Sequence, residues 1–343
     1  MLLPDGIYAV SADFEGRTGT ASFLFRDTEY EVQIGVNAFE NMDVLVEHPL
    51  EAVKAPFMGY EGRPIVLVGA GILSMDHGVT RQERFRTVFP CAVVILGENA
   101  GISPNEKDLR TPAKRRPESV LQGTFYFGAI AMAGDTPGTL TGDGVNLQCK
   151  IQDQRTGGDN VALEVKNTVI EAALVYTLIQ VWPDFQGKRT VVIENCRADG
   201  VEDRAGEGNL FRFDSGDNVI ENLYVANTEK FLGMNTYAAT GVNALDSLKL
   251  KNCLFENSRS IHGLMVKLPE GSSAKITLDR CTFDRFTPND EPAVTVKLPE
   301  KASLLVRDCR FLGNHDAPAI LVDGENVTVE ETIQTGYRSL WEK

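Results

Sequence analysis

The sequence predicts an all-β solenoid, in which short strands stack in successive coils, and two observations lead to that prediction. The first is an internal repeat: KLPEGSSAKITLDRCTF begins at Lys267, and the similar KLPEKASLLVRDCRF begins thirty residues later at Lys297. The second is the alternation of apolar and polar residues within each repeat, which is typical of a half-buried strand. A fixed period of this kind indicates the architecture before any local assignment does.

One column of residues defines the period, with steps of 28, 27, 30, 28 and 28 residues. Its members are Thr168, Cys196, Leu223, Cys253, Cys281 and Cys309. We expect these side chains to point inward and to stack on one another, since adjacent strands lie roughly 4.8 Å apart. The cysteine spacing is that of the coil and not C-x-x-C, so it predicts buried, reduced thiols and neither zinc ligands nor a disulfide framework.

The corners between strands also repeat. Asn167, Asn195, Asn222 and Asn252 precede the column, and asparagine tolerates the left-handed backbone of a sharp corner. A further strand is predicted in each unit, and examples are LMVKL before Pro269 and VTVKL before Pro299. Proline is accepted at such a corner because its missing N–H does little harm there. Each period is therefore predicted to contain three short strands and three corners.

This arrangement resembles the right-handed parallel β-helix of the pectate-lyase-like superfamily. The resemblance rests on units such as VVIENCRA, LKLKNCLF and ITLDRCTF, and it is clearest from about Val161 to Val329. Upstream, segments such as TASFLF, PIVLVGAG and AVVILGE are expected to be further strands of the same stack. The resemblance implies a single domain of about twelve coils, at about 28 residues per coil.

Three parts are expected within this single domain, which spans 1–343. Residues 1–160 form early coils with long basic loops, residues 161–332 form regular coils, and residues 333–343 form a short C-terminal cap. The cap is predicted because Tyr337, Leu340 and Trp341 have helix-like spacing and an uncovered sheet end invites aggregation.

Composition excludes several classes of function. No run approaches the roughly 18 apolar residues of a membrane span, and the net charge of −14 argues against general nucleic-acid binding. The N-terminal MLLPDGIYAV has no basic region followed by an apolar one, so a cytoplasmic location is expected unless a signal segment precedes it. The sequence does not indicate an oligomeric state.

The interior of a solenoid is reserved for packing, so chemistry is expected on outward side chains and on the loops beside them. In the strand before the proline corners, alternation places Arg212, Asp214 and Lys267 outward, followed by Lys297. The resemblance implies that this column forms a saccharide groove, bordered by the insertions at 197–209 and 226–246. Further catalytic candidates near it are Lys230, Tyr237 and His262.

An acidic loop is the candidate metal site. Asp199, Glu202 and Asp203 lie close together in a glycine-rich insertion, and hard cations such as Ca²⁺ take several carboxylate or carbonyl oxygens. A lyase acting on a uronate uses such an ion, or an arginine, to neutralise the substrate carboxylate and acidify the C5 proton. The loop does not have the spacing of an EF-hand, and a solvated acidic loop is the alternative interpretation.

A basic region is the candidate substrate-binding surface. Residues 75–116 contain eight basic and five acidic side chains, or +3, within a chain of net charge −14. The candidates are Arg81, Arg84, Arg86, Arg110, Lys114, Arg115 and Arg116. Arginine binds carboxylate or sulfate bidentately, so these residues suit an acidic glycan. The alternative is that they pair with the protein's own excess acids.

The function expected from the residues and the resemblance is that of a carbohydrate-active protein. A polysaccharide lyase acting on a uronate-containing polysaccharide or oligosaccharide is favoured, with Ca²⁺ as the candidate cofactor. A glycoside hydrolase needs two carboxylates flanking the scissile bond, and the polygalacturonase-like motifs Asp-Asp, Gly-His-Gly and Arg-Ile-Lys are absent from the sequence. Hydrolase, epimerase and non-catalytic saccharide-binding or structural functions on the same fold remain open alternatives.

Overall fold

A computed structural model of the chain describes residues 6–14, 17–25, 65–69, 71–74, 87–89, 93–97, 109–110, 119–122, 129–134, 138–148, 150–170, 177–182, 185–201, 209–227, 234–236, 244–257, 263–286 and 290–343. Every regular element within these residues is a β-strand. Among the same residues there is no helix long and apolar enough to cross a membrane.

Thirty of the strands form three parallel sheets of ten strands each. The first sheet contains β3 (Ile65–Gly69), β6 (Val93–Gly97), β9 (Thr139–Asp143), β12 (Gly157–Lys166), β15 (Gln186–Glu194), β18 (Ser215–Glu221), β21 (Ala244–Lys251), β24 (Lys275–Asp279), β27 (Ser303–Arg307) and β30 (Val327–Glu330). The second sheet contains β4 (Gly71–Ser74), β7 (Ser119–Gln122), β10 (Asn146–Gln148), β13 (Val169–Ile170), β16 (Arg197–Asp199), β19 (Tyr224–Ala226), β22 (Leu254–Glu256), β25 (Thr282–Asp284), β28 (Arg310–His315) and β31 (Ile333–Tyr337). The third sheet contains β5 (Thr87–Phe89), β8 (Ala129–Gly134), β11 (Lys150–Arg155), β14 (Thr177–Val181), β17 (Asn209–Phe213), β20 (Met234–Thr236), β23 (Leu264–Lys267), β26 (Val294–Lys297), β29 (Ile320–Asp323) and β32 (Trp341–Glu342).

The chain visits the three sheets in the same order each time, so one strand from each sheet makes one coil. Successive coils pair in register: Ile276 of β24, for example, lies opposite Leu304 of β27. The prediction of an all-β parallel solenoid is therefore confirmed. The number of about twelve coils stays a prediction, because parts of the N-terminal region lie outside the described residues.

The interior is built as the repeat predicts. Cys196, Cys253, Cys281 and Cys309 are buried and not in disulfides, and Leu223 and Thr168 are buried at the same position in their coils. Cys196 Sγ donates to the carbonyl oxygen of Glu194 at 3.3 Å, and Thr168 Oγ1 makes the equivalent bond to Lys166 at 2.8 Å. Burial raises the pKa of Cys196 to about 12, so its thiol stays protonated at neutral pH.

The asparagine corners are also confirmed. Asn167, Asn195, Asn222 and Asn252 have φ values of 50°, 54°, 54° and 50°, in the left-handed region that asparagine tolerates better than most residues. Their side chains form a hydrogen-bonded ladder from coil to coil. Asn195 Nδ2 donates to Asn167 Oδ1 at 3.3 Å, and Asn222 Nδ2 donates to Asn195 Oδ1 at 3.0 Å. The asparagines therefore set the corner and also link adjacent coils.

Two terminal segments differ from the simple repeat. TASFLF, expected in the parallel stack, lies in β2 (Arg17–Phe25), which pairs antiparallel with β1 (Gly6–Phe14) in a separate two-stranded sheet. Residues 333–343 contain β31 and β32, which are the last strands of the second and third sheets. Their helix-like residue spacing therefore does not correspond to a helix, and their role as a cap stays a prediction.

Candidate functional site

The outer face of the third sheet contains the column predicted from the sequence. Leu264 and Val266 of β23 are buried, while Met265 is half-buried and Lys267 is exposed. β26 repeats this pattern, and Lys267 lies in register with Lys297. The inward and outward assignment of these two strands is therefore confirmed. Long cationic side chains follow one another here at the spacing of adjacent strands.

Upstream, the same outer face has a row of amides that leads to an arginine. Gln152 of β11, Gln180 of β14 and Arg212 of β17 are partners in register on three successive strands. Gln154 Nε2 donates to Gln152 Oε1 at 2.9 Å, and Gln152 Nε2 donates to Gln180 Oε1 at 3.4 Å. Since each amide has two donor hydrogens and an acceptor oxygen, the row also offers groups suited to hydroxyl-bearing ligands.

Trp182 follows β14 directly, and its side chain is 38% exposed. Its backbone is fixed on both sides, since its N–H donates to the carbonyl oxygen of Asp153 at 3.0 Å. Its own carbonyl oxygen accepts hydrogen bonds from Ser215 Oγ at 2.7 Å and from Arg189 Nη1 at 3.0 Å. An exposed indole on a rigid backbone suits an apolar sugar face. Sequence reasoning missed Trp182, although a tryptophan at the end of the strand TLIQV was a visible signal.

A buried cluster of charges holds this backbone in place from the interior. Asp153, Arg155 and Arg189 are almost fully buried, and Arg155 Nη2 donates to Asp153 Oδ2 at 2.7 Å. Arg189 Nη2 reaches Asp153 Oδ1 at 3.3 Å and donates to the carbonyl oxygen of Arg155 at 2.6 Å. Burial lowers the pKa of Arg189 to about 10, Asp153 opposes that shift, and Arg155 adds to it. One carboxylate therefore compensates two buried guanidinium groups.

The expectation that Asp214 faces outward is wrong. Its side chain is fully buried, and its carboxylate Oδ2 accepts a hydrogen bond at 2.7 Å from Nε of Arg212, whose side chain is 21% exposed. Asp214 lies one residue beyond β17, where strict alternation no longer has to hold. A carboxylate in this position cannot contact a ligand on the open face, but it fixes the guanidinium of Arg212, which is a positioning role.

Three of the other catalytic candidates, Lys230, Tyr237 and His262, lie outside the described residues. The predicted insertions are partly regular structure: 197–209 begins with β16, and 226–246 contains β20 and the start of β21. Residues 200–208 join β16 to β17, and residues 227–233 join β19 to β20. The two insertions therefore enter the third sheet at the coil of Arg212 and at the coil that follows it.

The candidate metal site is only partly described, because Glu202 and Asp203 lie outside the described residues. Both carboxylate oxygens of Asp199 are already bonded: Oδ2 accepts from Arg197 Nη2 at 2.7 Å, and Oδ1 accepts from Asn227 Nδ2 at 2.8 Å. In the part of the chain that the structure describes, no three His, Cys, Asp or Glu side chains are grouped to hold a metal ion. Asp199 is thus held by two side chains of the protein, and a calcium site stays a prediction.

Arg110 is the one described member of the predicted basic surface, and it pairs with the protein's own acids. Its Nε donates to Glu256 Oε2 at 2.7 Å on the outer face of the second sheet. Beside it, Leu109 is buried in a small cluster with Tyr224, Ala226 and Leu254. Arg110 therefore anchors its loop to the solenoid instead of facing a ligand. Arg81, Arg84, Arg86, Lys114, Arg115 and Arg116 lie outside the described residues.

No protein-family model matches this sequence, and no curated protein matches it either.

Proposed function

We propose that the chain is a right-handed parallel β-helix of the pectate-lyase-like kind whose third sheet binds an extended acidic glycan on its outer face. The observation that carries this proposal is the single row formed by Gln152, Gln180 and Arg212, with the exposed indole of Trp182 at its edge. Lys267 and Lys297 continue the face two and three coils further on. Amides and an aromatic ring suit the hydroxyls and apolar faces of sugars, and the cations suit carboxylates.

The reaction we propose on this face is β-elimination. Arg212 pairs with the carboxylate of a uronate and so acidifies the neighbouring C5–H. A base takes the C5 proton, the C4–O bond breaks, a C4=C5 double bond forms, and the departing oxygen takes up a proton. Lys267 is our candidate base among the described residues. It lies two coils from Arg212, at roughly 9.6 Å along the stack, and two residues, roughly 7 Å, further along the strand than Met265, which is in register with Arg212. Both side chains are long enough to reach one sugar bound between them.

The charges on this face favour elimination over hydrolysis. A glycosidase needs two carboxyl groups about 5–9.5 Å apart on either side of the sugar bond. Among the described residues of this face, Asp214 is buried and paired with Arg212, and the exposed Asp323, opposite Lys297, lies four strands from Arg212, roughly 19 Å along the stack. The cationic side chains instead match a substrate that carries its own carboxylates.

The test is an assay of acidic and neutral polysaccharides, with and without Ca²⁺, that follows absorbance at 235 nm and the release of reducing ends. We expect absorbance to rise with a uronate polymer, because elimination leaves an unsaturated uronate. Reducing ends without absorbance would indicate a hydrolase, and binding without either signal would indicate a non-catalytic saccharide-binding protein. Either result would overturn the lyase proposal.

Variants connect the activity to this face. Lys267→Ala should reduce turnover about 100-fold or more, whereas Lys249→Ala, an exposed lysine on the first sheet, should leave it unchanged.

For Arg212 the informative variant is Arg212→Lys, because Arg212→Ala would remove the guanidinium paired with buried Asp214 and destabilise the fold. We expect Arg212→Lys to lose at least roughly tenfold in turnover, since lysine does not reproduce the bidentate fork. Activity loss that only follows a falling melting temperature would contradict the assignment.

A further inference from the structure

A concave surface lies at the corner where the third sheet turns into the first. It is a groove of about 240 Å³ that crosses four successive coils. Its lining includes Phe185, Gly216, Leu245, Asp246, Ser272 and Ser273. Ligand pockets for drug-sized molecules span roughly 300–1,000 Å³, so this groove suits a smaller ligand, of the size of a single sugar ring.

Two glycines of the groove lining lie where the backbones of neighbouring coils approach closely. Gly216 has a φ of +79°, and a Cβ added there would lie 2.6 Å from the carbonyl oxygen of Arg189. Gly187, one coil earlier, would place a Cβ 2.6 Å from the carbonyl oxygen of Gly158. Glycine is therefore required at these two positions of the groove lining.

One wall of the groove is an aromatic ring held from beneath. Cζ of Arg189 lies 4.0 Å from the centroid of the Phe185 ring, in a cation–π contact. The same guanidinium donates to the carbonyl oxygen of Trp182, as does Ser215, the residue before Gly216. Arg189 therefore fixes both the wall of the groove and the backbone of the exposed tryptophan on the third-sheet face. The two surfaces are neighbours across a single corner.

The polar groups of the groove are hydroxyls and a carboxylate. Asp246 and Ser273 are exposed to the solvent, and Asp217, on the neighbouring coil, accepts a hydrogen bond from Ser247 Oγ at 2.8 Å. Burial, with a further contribution from Asp217, raises the pKa of Asp246. Two carboxylates close together disfavour an anionic ligand. Phe185 is only 7% exposed, so the ligand-contacting groups are a carboxylate acceptor and serine hydroxyls, which suit a neutral polyhydroxyl compound.

We propose that the corner groove binds one neutral sugar unit, carried as a branch on a glycan whose acidic main chain lies along the third sheet. The branch position rests on the function proposed above, whereas the neutral-sugar site rests on the groove itself. Trp182 marks the point where the main chain and the branch would separate, because its backbone is bonded to the two residues that support the groove. The substrate class is therefore an acidic glycan with neutral side units.

The matched variants for a test come from the repeat itself. Ser273→Trp places a large side chain in the groove, whereas Lys301→Trp places it at the equivalent corner position one coil further on, outside the groove lining. Both positions are exposed, so both variants should fold with melting temperatures close to that of the wild type.

The experiment titrates glucose, galactose, xylose, arabinose, rhamnose and galacturonate separately into each protein, with saturation-transfer NMR as the readout. We expect at least one neutral sugar to bind with a Kd on the order of 1 mM, Ser273→Trp to weaken it tenfold or more, and Lys301→Trp to leave it unchanged. Tighter binding of galacturonate than of every neutral sugar, no binding of any neutral sugar, or equal binding by Ser273→Trp would overturn the site.

The failure of the site and the failure of the lyase proposal give different results. If the third-sheet function is wrong but the groove is right, neutral sugars still bind and Ser273→Trp still weakens that binding tenfold or more, while no uronate polymer is cleaved. If both are right, Ser273→Trp should raise KM for a branched acidic glycan and leave KM for its unbranched main chain unchanged. Equal effects on the branched and unbranched polymers would overturn the branch assignment.

Discussion

Two stretches of the same solenoid fill their interiors in different ways. Beneath the second sheet, Phe255, Phe283 and Phe311 stack with ring centroids 4.8 and 5.2 Å apart. At the corner between the third and first sheets, two to four coils before Phe255, the interior instead contains Asp153, Arg155 and Arg189. Both stretches use the same strand pairing, so the parallel stack does not itself require buried charge.

The difference indicates what the buried charges are for. A stack of aromatic and cysteine side chains fills the interior with apolar groups. A buried ion cluster adds little to the free energy of unfolding, so we explain it by the backbone and side-chain positions that it fixes. Here those are the positions of the Trp182 backbone and the Phe185 ring, which lie on the two candidate ligand surfaces. The buried charges therefore support the two candidate surfaces at Trp182 and Phe185, while the coil of Lys267 has the aromatic interior.

The largest effect is expected from a charge placed in the apolar stack. Cys281→Asp would put an unpaired carboxylate between buried neighbours on adjacent coils, and we expect a loss of at least about 4 kcal/mol in the free energy of unfolding. Urea unfolding followed by circular dichroism measures it. A variant as stable as the wild type would show that the column does not point inward.

The next largest effect is expected from the charge cluster. Asp153→Asn would leave Arg155 and Arg189 without their shared carboxylate, at a cost of about 3–5 kcal/mol. Glu164→Gln is the matched control, because it breaks the half-exposed pair with Lys166 and should cost under about 1 kcal/mol. If the two variants unfold at the same urea concentration, the buried cluster is not organised as described.

An intermediate effect is expected at the asparagine corners. Asn222→Ala removes two side-chain hydrogen bonds and places alanine at a φ of 54°, which together should cost about 2–3 kcal/mol. Asn222→Gly loses the same hydrogen bonds but accepts the backbone conformation, so it should be the more stable variant in the same unfolding experiment. The reverse order would mean that backbone strain is not part of the corner.

The smallest effect is expected on the outer face. Lys297→Ala removes an exposed side chain at the end of β26 and should change the free energy of unfolding by less than about 0.5 kcal/mol. A loss comparable to that of Cys281→Asp would mean that the inward and outward register is reversed.

The fold was predictable because the same residue types recur at equivalent positions of successive coils. Cys281 and Cys309 mark one interior column, and Asn195 and Asn222 mark one corner, so strand order and register follow from spacing alone. The site was less predictable. Alternation placed Lys267 correctly but failed at Asp214, since a residue just beyond a strand can turn its side chain back onto a neighbour.

Contacts between distant parts of the chain were not predictable from the repeat at all. Arg110 reaches Glu256 across 146 residues, and nothing in the local pattern of either segment indicates that pairing. The Arg189 contacts to Phe185 and to Trp182 likewise depend on corner geometry. From the sequence alone, an arginine in a strand such as β15 would be predicted to face the solvent. Long-range polar contacts require coordinates, whereas periodic packing requires only the sequence.

The asparagine ladder has a direction along the solenoid. Each amide donates toward the N-terminal neighbour, from Asn252 through Asn222 and Asn195 to Asn167, and Asn167 Nδ2 ends on Asp143 Oδ1 at 2.7 Å. Removing coils from the C-terminal side would leave every remaining donor with its acceptor. Removing them from the N-terminal side would leave the donor at the new first corner without its acceptor. The hydrogen bonds of this ladder therefore have a direction, and removing C-terminal coils should disrupt the ladder less than removing N-terminal coils.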